Sequence, residues 1–322
     1  MERPVIHEQD LQFHIPADIG YDWAETGYFN FYIPDRAILG LIYIVHRAGV
    51  GATVCDIEII DSRSSSVLGP VYRNMTNHNP RPASATDFVL PNGLRYRAPT
   101  LSNYEIGFED EGIALSLRCN ALMPPFDIHD PLMDPMASTD VQQAVAHSGL
   151  GAAYSGHFDM TVRITGELLL RGETLAIDCI STMDHSWGPR PENRIHPVLW
   201  LNAHHGPNCS FHAIFSFDRH APANAQHEFK HGYALIDGEV RGCVGGSVSV
   251  TREGLYPLSV EMRLTDKNGH EHGVSGHSVS HHPWMPYGNN LAALALIAWD
   301  CPGRSTGHGT WMEGFRLNEV RI

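Results

Sequence analysis

Along most of the chain apolar and polar residues alternate in short runs, and turn residues end each run. Phe158-Asp-Met-Thr-Val-Arg-Ile-Thr-Gly-Glu-Leu-Leu-Leu predicts a strand, Arg171-Gly172-Glu173 its turn, and Thr174-Leu-Ala-Ile-Asp-Cys-Ile-Ser the returning strand. Together they make a hairpin. Comparable strand-like runs are Ile38 to Val45, Thr53 to Ile60, Ile113 to Cys119, Val198 to Ala203, Ser210 to Phe217, Val240 to Val250, Leu258 to Leu264 and Leu294 to Asp300. Pro91-Asn92-Gly93, Asp237-Gly238 and Lys267-Asn268-Gly269 supply turn chemistry between several of them. Many short strands with regular breaks predict an all-β protein, a sandwich or a barrel.

Helical signal is confined to one place. Asp140-Val-Gln-Gln-Ala-Val-Ala-His147 predicts two turns, with Ser138, Thr139 or Asp140 as N-cap. It follows a stretch punctuated by Pro124, Pro125, Pro131 and Pro135, too irregular for a strand. Residues 124–156 therefore read as a long insertion, a candidate lid, since loops of that length are uncommon without a role. At about 150 residues per domain, 322 residues suggest two domains or one large β domain. Gly188-Pro-Arg-Pro-Glu-Asn193 is the expected break, giving domains at 1–188 and 189–322.

Charge narrows the function. Lys and Arg number 22 against 36 Asp and Glu, a net −14, which argues against nucleic acid and against an anionic membrane surface. No apolar run is long enough for a transmembrane helix, and the opening Met-Glu-Arg-Pro-Val-Ile-His-Glu has no apolar signal core. The six cysteines are widely spaced and form no Cys-x-x-Cys, so free thiols in a cytoplasmic protein are expected. Phosphate-loop, serine-hydrolase and zinc-protease signatures are all missing.

The densest cluster of rare residues is Ser181-Thr-Met-Asp184-His185-Ser-Trp187-Gly188-Pro189, expected at a strand end where a barrel opens its mouth. An Asp desolvated beside Trp can have its pKa raised and serve as a proton donor, and an indole face can stabilise a carbocation. The competing interpretation has Asp184 and His185 bonded in a turn and Trp187 in the core.

Met183-Asp184-His185-Ser186-Trp187-Gly188, after the hairpin, resembles the Trp-Met-Asp-(His/Arg)-Glu-Trp-Gly signature of a lipocalin-like superfamily that includes carotenoid 1,2-hydratases and AttH-type proteins. Glu25-Thr-Gly-Tyr-Phe-Asn30-Phe31 resembles the early aromatic strand of bacterial relatives, and Gly307-His-Gly-Thr-Trp311-Met-Glu313-Gly314 their closing strand. The resemblance implies two consecutive lipocalin-like β domains, a hydrophobic pocket near their junction, and protonation, hydration or cyclisation of unsaturated substrates. Ser186 departs from the family's Glu, and Ser181 or Thr182 stands near where an aromatic is common. If that Glu is catalytic in relatives, this chain uses another acid or lacks the activity.

Other residues join the candidates. Glu313 would be a second carboxylate if its strand faces the pocket, two acids with separated pKa values being suited to donate and accept a proton. His281-His282-Pro283-Trp284-Met285-Pro286-Tyr287 suits a pocket rim, with His282 an acid–base group and Trp284 and Tyr287 lining; the competing reading is a loop that plugs a barrel end. Trp311 and His129 are further lining candidates. With 21 His, metal must be weighed: His270 and His272 share a strand face, whereas the adjacent pairs His204-His205 and His281-His282 do not. Zinc needs three or four ligands, and no third is evident at a diagnostic spacing, so no metal is expected.

The expectation is a cofactor-independent acid–base enzyme, a lyase or hydratase, isomerase or cyclase, acting on an unsaturated hydrophobic small molecule. Asp184 would be the donor, His185 its orienter or base, Glu313 and His282 secondary partners, and Trp187 a pocket wall. A carrier of lipophilic ligands and a His-ligated metal enzyme are the alternatives. Exposed β edges allow a homodimer.

Overall fold

The computed structural model describes residues 6–191 and 197–320. Eleven strands build a curled first sheet: β1 (Trp23–Ile33), β2 (Ile38–Arg47), β3 (Ala52–Ile60), β4 (Tyr72–Pro80), β5 (Asp87–Val89), β6 (Arg95–Thr100), β7 (Asn103–Asp110), β8 (Ile113–Ala121), β9 (Phe126–Asp127), β10 (Gly156–Leu170) and β11 (Glu173–Pro189). Its order is β4-β3-β2-β1-β11-β10-β8-β7-β6-β5, with β9 on β10. The remaining eight close into a barrel in chain order: β12 (Val198–His204), β13 (Cys209–Phe217), β14 (His227–Ile236), β15 (Glu239–Glu253), β16 (Tyr256–Asp266), β17 (Glu271–Tyr287), β18 (Asn290–Asp300) and β19 (Gly307–Arg316). The all-β class is as expected, a curled sheet and a closed barrel of lipocalin-like form.

Turn chemistry sets the registers. Arg171 (φ 53°) and Gly172 (φ 83°) are both left-handed, as in the two-residue turn whose twist matches that of the strands it joins. The expected three-residue turn is one residue too long. The difference is decisive, because a one-residue slip moves every side chain to the other face of the sheet. With Leu170 opposite Glu173, Asp159 of β10 stands opposite Asp184 of β11. Asp237 (φ 51°) and Gly238 (φ 84°) repeat the device between β14 and β15.

Two expectations about irregular segments need correction. Ser181 to Pro189 does not sit beyond a strand end: β11 runs through it and pairs with β1 and β10. His281 to Tyr287 is also strand rather than loop; a shift in register between Trp284 and Tyr287 accommodates Pro286. The insertion at 124–156 is docked. Asp140 accepts a bond from the Gln142 N–H and caps a short 3-10 turn (Val141–Gln143), which leads into one helical turn, α1 (Ala144–His147). His231 of β14 grips Asp134 Oδ2 through Nδ1 (2.6 Å) and the Ser148 carbonyl through Nε2 (2.8 Å). Of the expected interdomain break, Glu192 and Asn193 lie outside the described residues.

The two sheets meet face to wall. Alternation along β1 sends Phe29 and Phe31 into the curl of the first sheet and turns Tyr28 and Asn30 towards the barrel. The barrel presents the outer side of its wall: Trp200, Ile214, Tyr233, Leu235, Trp284 and Leu294 join the first sheet's core. Its interior is filled separately by residues such as Leu199, Leu201, Phe215, Trp299 and Trp311.

At the seam that closes the barrel, Asn202 substitutes for ladder bonds. Its Oδ1 accepts from the Thr310 N–H (2.9 Å) and its Nδ2 donates to Thr310 Oγ1 (3.0 Å), all of it buried. Asn202→Ala leaves that N–H unpaired, and the expected cost is about 1–3 kcal/mol. Urea unfolding should show a lower midpoint; an unchanged midpoint would mean the seam closes without Asn202.

Candidate active site

A cleft of about 90 Å³, continuous with solvent, opens where the first sheet meets the barrel wall. Its floor comes from register. Asp56, Tyr43, Tyr28, Asp184 and Asp159 are successive cross-strand partners on β3, β2, β1, β11 and β10, so one row of ionisable side chains crosses five strands. Thr26, Ser186 and His157 form the adjacent row on the same face. Trp284 and Tyr287 of β17, Met312 of β19 and Tyr154 of the insertion complete the walls.

Two carboxyls stand opposite each other here, and their surroundings differ. Asp159 is fully buried; His157 Nε2 donates to Oδ2 (2.8 Å), His212 Nε2 lies 3.1 Å from the same oxygen, and Trp200 Nε1 donates to Oδ1 (3.0 Å). Burial works to raise the Asp159 pKa, but the two imidazoles outweigh it and hold the carboxyl well below the usual range. Asp184 has no such partners. Its Oδ1 is buried without a hydrogen bond among the described residues. Burial first, and the Asp159 charge with it, raises the Asp184 pKa to about 6 against the pull of His157, Arg190 and His185. Tyr28, whose buried hydroxyl is also unpartnered among the described residues, is pushed well up by burial and by the charge of Asp184.

Aromatic faces and one cation complete the cleft. Tyr43 and Tyr28 pack their rings 5.1 and 5.8 Å from Trp284, whose Nε1 donates to Asp56 Oδ2 (2.9 Å) and so is fixed in place. Tyr43 and Tyr287 share a hydroxyl–hydroxyl bond of 2.7 Å. Arg190 donates to Tyr287 Oη (3.2 Å) and Ser186 Oγ (2.7 Å), and Ser186 Oγ also meets Thr26 Oγ1 (2.8 Å).

Of the residues singled out in the sequence, Asp184, Trp284 and Tyr287 come together in this cleft. His185 and Trp187 do not. Alternation puts both on the opposite face of β11, where His185 Nε2 bonds Glu25 Oε1 (2.9 Å) and Trp187 stacks on His14 at 3.6 Å. His185 therefore cannot orient Asp184 directly. Gly156 faces Trp187, and a Cβ there would fall 2.0 Å from the indole. Glu313 points into the barrel, bonded bidentately by Arg252 (2.5 and 2.7 Å) and by His227 (2.7 Å), with Trp311 beside Arg252. His282 lies behind Trp284, paired with Glu58 at 2.5 Å. His129 bonds the Tyr154 carbonyl (2.8 Å), supporting the cleft wall from outside.

The residues missed are Arg190, Tyr28, Tyr43, Asp159 and His157. A signal for the last two existed in the turn, from which the correct register can be counted.

The expected His270 and His272 pair does share a face, and both rings meet Asp266 Oδ2 (3.3 and 3.0 Å). His204 bonds Ser210 (2.9 Å) and His205 the Ser305 carbonyl (2.9 Å). Among the described residues the one group of three side chains whose ligand atoms converge within 4.8 Å is His14, Glu25 and His185. Its hydrogen bonds already account for it. Glu25 Oε1 takes both imidazoles and Oε2 the His14 N–H (2.9 Å), strapping the N-terminal segment to β11.

Fold and cleft together define a lipocalin-like β protein of two parts with its cavity between them. The chain belongs to the family described as a domain of unknown function, DUF7064, which matches residues 7–313. No curated protein sequence matches it. Solved structures that share the fold include kievitone hydratase from Nectria haematococca, with a TM-score of 0.56 at 11% identity, covering 97% of this chain and 93% of that one. CghA gives 0.56 at 13%, covering 99% and 95%. An AttH-like protein from Nitrosomonas europaea gives 0.50 at 12%, covering 96% of each. The two-part β fold that the motif resemblance implied is thus shared with these solved structures. Among the described residues no helix is long and apolar enough to cross a membrane.

The raised Asp184 pKa has a stability consequence. The folded protein holds this proton to about pH 6, while the unfolded chain releases it near 3.8. Stability from the group is therefore full at low pH, falls as pH rises through that window and stays down above it. At about 1.4 kcal/mol per pH unit the cost approaches roughly 3 kcal/mol near neutrality. Asp184→Asn should raise Tm at pH 8 and leave it unchanged at pH 4; a variant less stable than wild type at pH 8 would contradict the assignment.

Proposed function

We propose that the chain is an acid–base enzyme of the hydratase or lyase kind, acting on an unsaturated hydrophobic small molecule in the cleft between sheet and barrel. The observation that carries this reading is Asp184: a buried carboxyl with an unpartnered oxygen and a pKa near 6, lining an aromatic cavity. Protonation of a substrate double bond by Asp184 leaves a carbocation and the Asp184 carboxylate. Tyr28, Tyr43 and Trp284 offer ring faces to the developing charge, and ionised Asp159 on the next strand adds an electrostatic contribution. Addition of water then returns one proton to Asp184, completing a hydration. Loss of a neighbouring proton to the same carboxylate gives an isomer; attack by a second double bond gives a ring with the cation moved onto it, and that cation then loses a proton to the Asp184 carboxylate.

The kievitone hydratase that shares the fold is by name a hydratase, which supports the first outcome. None of these steps calls for a cofactor. All six cysteines are free thiols, which suits a reducing compartment such as the cytoplasm. One observation favours a second reading, a carrier that holds its ligand unchanged: Ser186 occupies the cleft where the resembling signature has Glu.

Wild type and Asp184→Asn incubated with a lipophilic metabolite extract separate the two by mass spectrometry. A feature shifted by the mass of one water, or converted to an isomer, is expected only with wild type. The variant should be slower by a factor of about 10² to 10⁴. The wild-type rate should fall as pH rises through about 6, because the donor ionises. Retention of most activity by Asp184→Asn removes Asp184 from the mechanism, and enrichment of one unaltered compound by both proteins identifies a carrier.

A further inference from the structure

The cleft contains a cation that no carboxylate among the described residues pairs directly; Asp184 acts on it only at longer range. Arg190 is 6% exposed, and among the described residues no carboxylate oxygen comes within the 4.0 Å of an ion pair. Neutral groups hold it: Tyr287 Oη and Ser186 Oγ accept from its two terminal nitrogens, and the Tyr154 ring lies 5.1 Å from the guanidinium. Its Nε is buried and has no partner among the described residues. Taking an ion out of water is costly, and hydroxyl partners offset only part of that cost. A protein that keeps such a charge beside an apolar cavity has a fork left to be filled from the cavity side. A planar guanidinium matches a delocalised oxyanion, two oxygens or one oxygen with a shared charge, better than any other group.

We propose that Arg190, steadied by Tyr287, is a binding subsite for an acidic oxygen of the substrate, a carboxylate or an enolate-type oxyanion. This rests on the reading that the cleft binds substrate, and it narrows the class to unsaturated lipophilic molecules that carry one anionic oxygen. A wholly neutral hydrocarbon would leave the guanidinium bonded to neutral hydroxyls alone. The subsite also couples to the acid. The Arg190 charge disfavours the protonated form of Asp184, so an oxyanion seated on Arg190 offsets that pull and keeps the proton on Asp184. Tyr43, bonded to the Tyr287 hydroxyl at 2.7 Å, ties the subsite to the row that contains Asp184.

Calorimetric titration with 2-naphthoate and its neutral isostere 2-naphthamide tests this without knowledge of the natural substrate. Wild type should bind the carboxylate about tenfold or more tightly than the amide. Arg190→Met should bring that ratio to about one, and Arg190→Lys should recover part of it. Equal affinities in wild type, a preference that survives Arg190→Met, or binding of neither compound at millimolar concentration would overturn the subsite. The wild-type ratio stands even if Arg190→Met does not fold. Asp184→Asn separates the two proposals. It should keep the carboxylate preference while losing turnover. Loss of turnover in Asp184→Asn with no carboxylate preference in wild type rejects the subsite alone. An active Asp184→Asn with the preference intact rejects the acid alone.

Discussion

Two carboxyl groups face each other across a buried β ladder, and the site cannot carry both charges equally. Asp159 and Asp184 are cross-strand partners on the central strands of the first sheet, covered by the barrel wall. Two imidazoles and an indole N–H commit Asp159 to the ionised form. Burial, with the Asp159 charge adding to it, then pushes the proton onto Asp184, up to a pKa of about 6. The division of roles is a matter of neighbours, since the two side chains are chemically the same.

The architecture explains why the cleft lies at the junction. The barrel interior is packed with aromatic and aliphatic side chains, and two of the barrel's buried carboxylates are closed off, Glu313 by Arg252 and His227 and Asp266 by His270 and His272. The curl of the first sheet is filled by Phe29, Phe31, Tyr104 and their neighbours. Space for a ligand remains where a polar strand face meets an outer barrel wall, two surfaces that match incompletely. Asp56 serves this boundary as well, because its bond to the Trp284 indole holds an aromatic face over the cleft. The docked insertion adds Tyr154 as a fixed wall, while His231 clamps it through Asp134 and Ser148.

Much of this was legible in the sequence, and what was not has definite causes. Alternation and turn residues gave the all-β class and most long strands, because half-buried antiparallel strands carry a period of two. The polar strand β4 and the short β5 and β6 carry little such signal, since they run at or near the sheet's ends with mixed burial. Asp184 was found because it lies in a dense motif, but its neighbours in sequence misled. His185 and Trp187 are adjacent in the chain and opposite in space. The true partners, Asp159 and Tyr28, are distant in the chain and adjacent across the ladder. A hairpin turn of three residues would have set Asp159 against His185; the two-residue turn at Arg171 and Gly172 sets it against Asp184. Arg190 follows the motif directly, yet nothing in its sequence setting distinguishes a buried cation from a surface one.

The most direct measurement is an infrared titration of Asp184 itself, as the difference spectrum between wild type and Asp184→Asn. The carbonyl stretch of a protonated carboxylic acid should be present in wild type at pH 5, vanish with a midpoint near pH 6, and be missing from the variant throughout. A difference spectrum that shows an ionised carboxylate already at pH 5 would contradict the account, because Asp184 would then hold no proton to give near neutral pH.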